Sequence, residues 1–462
     1  MGRNAGFQLI GVGKIGNDEE IDERGTAPGP ASRKVLAELR EVIGRSNYTG
    51  LFGITLAEGR GNKLIDADGN EYLDCFSAAS TNLLGYSSGL EEVYRRQAAK
   101  IQHTAFGYSP NVNALELAVK LLDISPGSSP KKVIFGLTGS DACDSAVAAA
   151  RKYTGKKGTV SFKYSYHGST GFSQPASGFG RHSAGIYDPD NREFVKLDYP
   201  TTDIGRDRVL REIEELLAGD YGSVLIEPIQ GDAGVRQPAA GFFSRLREMV
   251  TRHDAVLVVD EVQTGMGRSG RWWAVEYEGV ESDIYLVAKG LAAGYAPISV
   301  AVGKSDVIDA LEPGQRIFSF VGHPPSAAVA SKTIDIIENR GLIGHGAELG
   351  RKMKKRLEEI KRAFPEVVRD VRGRGFIMGL EVNCGGADGA AVLFARRAVE
   401  KGLYVGFFGI HNDVVRVQPP LTLKDEEADR AVNVIADVAS EMARGEIPAE
   451  TREYAELYSV GM

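Results

Sequence analysis

Two stretches decide the reading of this chain: AVLVVDEVQTGMGRSG, residues 255–270, and DIYLVAKGLAAGYAP, residues 283–297. Each opens as an apolar run of strand character and delivers one charged residue at its end. Asp260 follows Leu257-Val258-Val259, and Lys289 follows Tyr285-Leu286-Val287-Ala288. Continuous Val/Leu/Ile runs of this length suit strands of a parallel sheet buried on both faces. Ligands in such sheets bind beyond the carboxyl ends of the strands. Taken alone, either charge reads more readily as half of a structural ion pair at a sheet edge.

Working outward, the same rhythm extends over most of the chain. A helix is expected in ASRKVLAELREVIGR, and residues 1 to about 30, polar and rich in Gly and charge, read as a loosely held arm. ITLAEGRGNKLIDADGNEYLDCF alternates apolar and polar residues around Asp68-Gly69-Asn70, a hairpin signal in which Asp-Gly supplies the positive-φ turn. From about 85 to 320, strand runs (VIFGL, TVSFKY, SVLIEPI, AVLVVD, IYLVAKG, ISVAVG) alternate with helical patterns. That is the pattern of a large α/β domain with a mostly parallel sheet. The long helix SAAVASKTIDIIENRG then leads to GFIMGLEV, AAVLFARRAVEKG and VVRVQPP, a smaller α+β lobe. The expected division is 1–84 (arm, helix and hairpin, part of the small domain), 85–325 (large domain) and 326–462 (small domain).

Composition removes several function classes. The chain has 462 residues, 43% hydrophobic and 25% charged, and a net charge of −7, without the basic runs of a nucleic-acid surface. No apolar run approaches the roughly 20 residues a bilayer span requires. The N-terminus lacks a signal-peptide pattern. Cys75, Cys143 and Cys384 are too few and too far apart for a disulfide framework or a metal knuckle, and the seven His show no i, i+4 ligand pair. The expectation is a reduced, cytoplasmic protein with no metal, no nucleic-acid partner and no membrane partner.

An acid and an amine ending neighbouring buried strands is the pairing that pyridoxal phosphate (PLP) chemistry requires. The amine condenses with the aldehyde, and the acid pairs with the pyridinium nitrogen. Further residues accompany the pair. Gly139, Ser140 and Asp141 sit where a helix begins after the strand VIFGL, and helix N-termini bind phosphate, although Ser or Asp there is also an ordinary cap. Tyr166-His167-Gly168 follows TVSFKY, and an aromatic at a strand end can stack on a flat ring; a half-buried Tyr is the plainer reading. Glu227 and Asp232, in SVLIEPIQGDAG, are active-site acids or solvated loop charges. Gln263, three residues after Asp260, can donate to the phenolic oxygen of PLP. Arg416 in VVRVQPPLT can grip a substrate carboxylate through a bidentate fork, or lie on the surface.

In this order, over Glu58 to Leu421, the pieces resemble the class III (ornithine and 4-aminobutyrate type) aminotransferases, PLP enzymes of fold type I. DEVQTGMGRSG followed by AKGLAAGYAP carries the resemblance. The resemblance implies that Lys289 is the Schiff-base lysine and proton shuttle, Asp260 the pyridinium partner and Gln263 the phenolic-oxygen contact. It further implies Gly139 and Ser140 as phosphate cradle, Tyr166 as stacking residue and Arg416, in R-x-x-P-P-L, as carboxylate binder. It implies a homodimer, or paired dimers, with active sites at the subunit interface and a Thr in T-x-x-G-N-P reaching the neighbour's phosphate. Here that segment reads SFVGHP, so Ser319 takes the role and His323 departs from Asn. The implied activity is ping-pong transfer of an amino group between an amino acid or amine and a 2-oxo acid, through pyridoxamine phosphate. Many members carry Arg after Tyr-His-Gly to hold a second carboxylate; Ser169 stands there, which favours apolar or small substrates. EPIQGDAG replaces EPIQGEGG or EPIQGEAG, and with YHGST it also resembles the isoleucine 2-epimerase and amino-acid racemase offshoot. The alternative is then a racemase with Lys289 and Asp232 as two bases on opposite faces of the substrate. A PLP-fold protein that binds cofactor or partner without turnover is the non-enzymatic alternative; absence of Lys289 or Asp260 would support it, and both are present.

Overall fold

The computed structural model describes residues 28–44, 46–47, 50, 52–86, 88–179, 186, 191–383 and 389–459. The expected N-terminal arm lies outside them apart from its last three residues, as does Cys384.

The hydrophobic run at 255–260 becomes a central strand of a seven-stranded sheet. Its members are β4 (Lys131–Gly136), β5 (Gly158–Phe162), β6 (Phe194–Leu197), β7 (Tyr221–Ile226), β8 (Val256–Asp260), β9 (Ile284–Val287) and β10 (Ser299–Lys304) in the order β4-β10-β9-β8-β7-β5-β6; two N-terminal and C-terminal sheets, named below, complete the strand set β1–β15. Parallel pairing links β6, β5, β7, β8 and β9, whereas β10 runs antiparallel to both β9 and β4. Every residue of β5, β8 and β9 is buried, which is why they read as unbroken apolar runs rather than as alternation.

One face is covered by the helix Gly139–Thr154. Its sheet-facing residues are small (Ala142, Cys143, Ala146, Ala149, Ala150), so helix and strands approach closely. The helix Phe242–Arg252 covers the other face with Phe242, Phe243, Leu246 and Val250. Burying each large apolar side chain contributes about 1.5–3 kcal/mol, so these two layers hold the strand ends in place.

The hairpin expected around Asp68-Gly69-Asn70 is present between β2 (Lys63–Asp66) and β3 (Glu71–Asp74), with Gly69 at φ +83°. Asp66 stabilises the turn by accepting from the amides of Asp68 and Asn70 at 2.9 and 2.8 Å. β1 (Leu56–Arg60) pairs with β2 on the far side. The fourth strand of this sheet is β13 (Leu403–Tyr404), parallel to β3. A third sheet, in the order β11-β12-β15-β14, comprises β11 (Val368–Arg374), β12 (Ile377–Val382), β14 (Gly406–Phe408) and β15 (Val414–Val417).

After β3 the backbone does something the sequence does not announce. Ser77, Ala78, Ala79 and Ser80 all lie at positive φ (50°, 46°, 56° and 78°) although none is glycine. Left-handed backbone costs an L-residue about 1–2 kcal/mol, so neighbouring contacts must hold this turn in place.

Candidate active site

β8 and β9 are adjacent, with Asp260 opposite Leu286, and their ends point the same way. Both carboxylate oxygens of Asp260 are engaged: Oδ1 accepts from the Val262 amide at 3.0 Å, and Oδ2 lies 2.8 Å from His167 Nδ1. A carboxylate partner places the ring proton on Nδ1, which fixes the imidazole against the acid. Lys289 opens the short 3₁₀ turn Lys289–Ala292 at φ +38°, a strained angle that turns the chain sharply off β9.

The third element is the start of the helix Gly139–Thr154. Thr138 is its N-cap; its hydroxyl accepts from the Asp141 amide, while Asp141 Oδ2 accepts from the amides of Thr138 and Leu137 at 2.9 and 3.0 Å. This capping box uses up the Asp141 carboxylate and leaves the first-turn amides free to face a ligand. A Cβ on Gly139 would sit 3.0 Å from a Val262 methyl, and one on Gly168 would sit 2.4 Å from Ser140 Oγ, so the glycines permit close approach here. The Ser169 amide donates to Ser140 Oγ at 3.1 Å and the Tyr166 amide to Glu227 Oε1 at 2.9 Å, which docks the Tyr-His-Gly loop on the helix start and on the residue that follows β7.

These elements enclose a cavity of about 430 Å³. Nine of the residues singled out from sequence line it: Gly139, Ser140, Tyr166, His167, Glu227, Asp232, Asp260, Gln263 and Lys289. Arg416 stands behind it, fully buried. Its Nη1 donates to Asp232 Oδ1 at 2.7 Å and to Gln263 Oε1 at 3.1 Å, and its guanidinium carbon lies 3.3 Å from the Phe408 ring centroid. Gln263 Nε2 in turn donates to Asp232 at 3.3 Å. Besides Arg416, three expected residues stand outside the lining. Asp141 is committed to the cap; Ser169 is exposed at the rim with Oγ 3.1 Å from the Tyr166 hydroxyl; Ser319 is exposed on the segment before the helix Pro324–Asn339.

The charges influence one another. Burial, aided by Arg416, lowers the Lys289 pKa, against the pull of Asp232, Asp260 and Glu227. Burial alone would raise Asp232, but Arg416 and Lys289 outweigh it and hold the carboxyl below its ordinary value. Glu227 goes the other way, pushed well up by burial and by Asp260.

Sequence reasoning missed Thr81, Thr138 and the Ala296-Pro297-Ile298 wall of the cavity. Thr138 had a signal, since T-G-S-D is a Thr followed three residues later by an acid, the spacing of a capping box. Thr81 had none, because the left-handed turn that brings it here contains no glycine.

The sequence profile of the family Aminotransferase class-III matches residues 44–439. The chain belongs to this family. It is 32% identical to the isoleucine 2-epimerase of Lentilactobacillus buchneri over 90% of this chain and 97% of that protein. It is 31% identical to the 4-aminobutyrate aminotransferase of Mycobacterium tuberculosis, with the same coverage. Among solved structures, the ornithine aminotransferase of Toxoplasma gondii ME49 superimposes with a TM-score of 0.82 at 25% identity, over 90% of this chain and 97% of that one. The class III fold, fold type I, is the one described above, and pyridoxal 5′-phosphate is the cofactor. The cavity fits that group in its donor set: an amine at Lys289, an acid at Asp260, helix-start amides at Gly139 and Ser140, and an aromatic ring at Tyr166.

Proposed function

We propose that this class III enzyme is an aminotransferase that moves an amino group from an amino acid to a 2-oxo acid. The observation that carries this reading is the 2.7 Å ion pair between Asp232 and Arg416. With its pKa held down by the ion pair, Asp232 is a weak base with no proton to return to Cα, and the buried amine of Lys289 is the cavity group poised to take the Cα proton. One base working from one side returns that proton to a neighbouring atom on the same side, and the outcome is transfer rather than inversion. Bound in this cavity, PLP supplies an electrophilic carbon for the amine and a ring that accepts the electron pair left at Cα. Asp260 would hold positive charge at the ring nitrogen, the amides of Gly139 and Ser140 would hold the phosphate, Tyr166 would stack on the ring, and Gln263 would donate to the phenolic oxygen. Arg416 binds the substrate carboxylate through Nε and Nη2, while its Nη1 stays on Asp232. Ser169, a neutral residue at the rim, supports amino acids with small or apolar side chains. The working form is a cytoplasmic homodimer in which Ser319, exposed and outside its own chain's cavity, reaches the partner's phosphate.

A second reading, an amino-acid racemase or 2-epimerase, is favoured by Asp232 lining the same cavity as Lys289. Once a substrate carboxylate takes Arg416, burial raises the Asp232 pKa, and Asp232 becomes an acid able to return a proton to Cα. One assay separates the two: the holoenzyme with L-isoleucine in D₂O and no 2-oxo acid. Deamination that stops after one equivalent per site is expected. Continued Cα deuteration with inversion would replace the first reading by the second, and no reaction together with an unchanged cofactor spectrum would sink both.

A further inference from the structure

The left-handed turn Ser77–Ser80 is held from one point. Asp74, at the end of β3 and fully buried, accepts through Oδ1 from the amides of Phe76 and Ser77 at 2.9 and 2.7 Å. Its Oδ2 accepts from the Tyr86 hydroxyl at 2.9 Å, and the Tyr86 hydroxyl oxygen in turn accepts from Asn82 Nδ2 at 2.9 Å. One carboxylate thus fastens both ends of the segment 76–86. The turn is also tied to the strand that carries Arg416. Ser77 Oγ donates to the carbonyl of Gln418 at 2.7 Å, and the Gln418 amide donates to the carbonyl of Cys75 at 2.7 Å.

Its other side presses on the backbone that carries Lys289. A Cβ added to Gly290 would lie 3.0 Å from Leu83 Cδ2 and 3.3 Å from the carbonyl oxygen of Ser80; one added to Gly294 would lie 2.0 Å from Asn82 Oδ1. Lys289 and Ala293 in that segment have positive φ (38° and 48°), so two strained segments lie against each other. Thr81, between them, lines the cavity. Strained non-glycine backbone persists where the surroundings over-determine it, and it gathers at sites where geometry must be held.

We propose that Asp74 is a positioning residue for the reaction: by fastening the turn Ser77–Asn82 it braces the backbone of Lys289 and the strand of Arg416 together, so that amine and guanidinium keep one spacing. The inference rests on the roles given above to Lys289 and Arg416. It adds a residue that touches neither substrate nor cofactor. Because the amine and the carboxylate-binding group are set from one point, loosening it misplaces both, and misplacements of this kind cost catalysis far more than binding of the cofactor.

The test uses the PLP-loaded enzyme and three variants: Asp74→Asn, Tyr86→Phe, which removes one hydroxyl only, and Gly290→Ala, which strains the same contact from the opposite side. Lys289→Ala runs alongside; if it keeps the wild-type cofactor absorption, the role given to Lys289 fails, and that failure is separate from any result at Asp74. Three readouts are taken: the pH midpoint of the cofactor absorption band, hydrogen exchange of the 288–294 amides in cofactor-free protein, and kcat against KM. The expected result is a displaced midpoint, faster exchange at 288–294 and a kcat fall of roughly tenfold or more in Asp74→Asn, with a smaller change of the same kind in Tyr86→Phe. The double variant Asp74→Asn/Gly290→Ala should lose less than the product of the two single losses, since both act through one contact. If the variants are less heat-stable but keep the wild-type midpoint, exchange and kcat, Asp74 is a structural residue and the proposal is wrong. Should Asp74→Asn not fold, Tyr86→Phe decides by the same readouts.

Discussion

Arg416 is fully buried, and its Nη1 is shared between Asp232 and Gln263, while Nε and Nη2 have no hydrogen-bond partner among the described residues. That unused edge, backed by Phe408, can receive a planar carboxylate without rebuilding the side chain. Arg416→Ala should therefore raise KM for the amino acid by the equivalent of about 2–5 kcal/mol, and Arg416→Lys should recover little, because a point charge cannot reproduce the fork. Steady-state kinetics on both variants check this; a KM within threefold of wild type would remove Arg416 from substrate binding. The sequence showed Arg416 as a candidate through its place in VVRVQPPLT, and it showed Asp232 through QGDAG. It could not show that they touch, since 184 positions separate them and only the approach of β15 to the loop after β7 makes the pair.

At the level of elements, the residue just beyond β8 is a second acid whose burial has a measurable effect. Glu261 follows Asp260, accepts from the Val275 amide at 2.8 Å and from the Thr264 hydroxyl, and is pushed by burial from 4.5 up to about 7. Between those values the folded chain binds the additional proton, so unfolding free energy should fall as pH rises from 4.5 to about 7 and level off above. The loss is on the order of 3 kcal/mol, and Glu261→Gln should flatten it in denaturant titrations of the cofactor-free protein. An unchanged pH slope in the variant would place the titration elsewhere. Elements were the most legible level. Buried parallel strands announce themselves as unbroken apolar runs, and Asp68-Gly69 marked its turn. The segment 77–80 was illegible because its conformation comes from Asp74, Tyr86 and the Gln418 carbonyl, not from the residues that adopt it.

For the whole molecule, the helix Val112–Asp123 presents Val112, Leu115 and Val119 to solvent at 78%, 66% and 47% exposure, and Tyr108, Ile317 and Phe320 are exposed as well. An apolar stripe at helical spacing suits a second copy. Leu115→Glu should yield monomers in sedimentation and, on the role proposed for Ser319 at the partner's phosphate, weaken PLP retention; a dimer that survives the change would locate the interface elsewhere. No helix among the described residues is long and apolar enough to cross a membrane.

The pairing of β3 with β13 sets a timetable for the newborn chain. Leu73 has its partner in Leu403, so the hairpin built from residues 56–74 emerges from the ribosome long before the strand that completes its sheet. At about 5–20 residues per second, that edge waits on the order of tens of seconds, exposed to other nascent strands. We predict that chains stalled before residue 403 are cut by protease within 56–74 and that chains extended past it are protected there. Equal cleavage in both would mean that the hairpin is secured without its C-terminal partner.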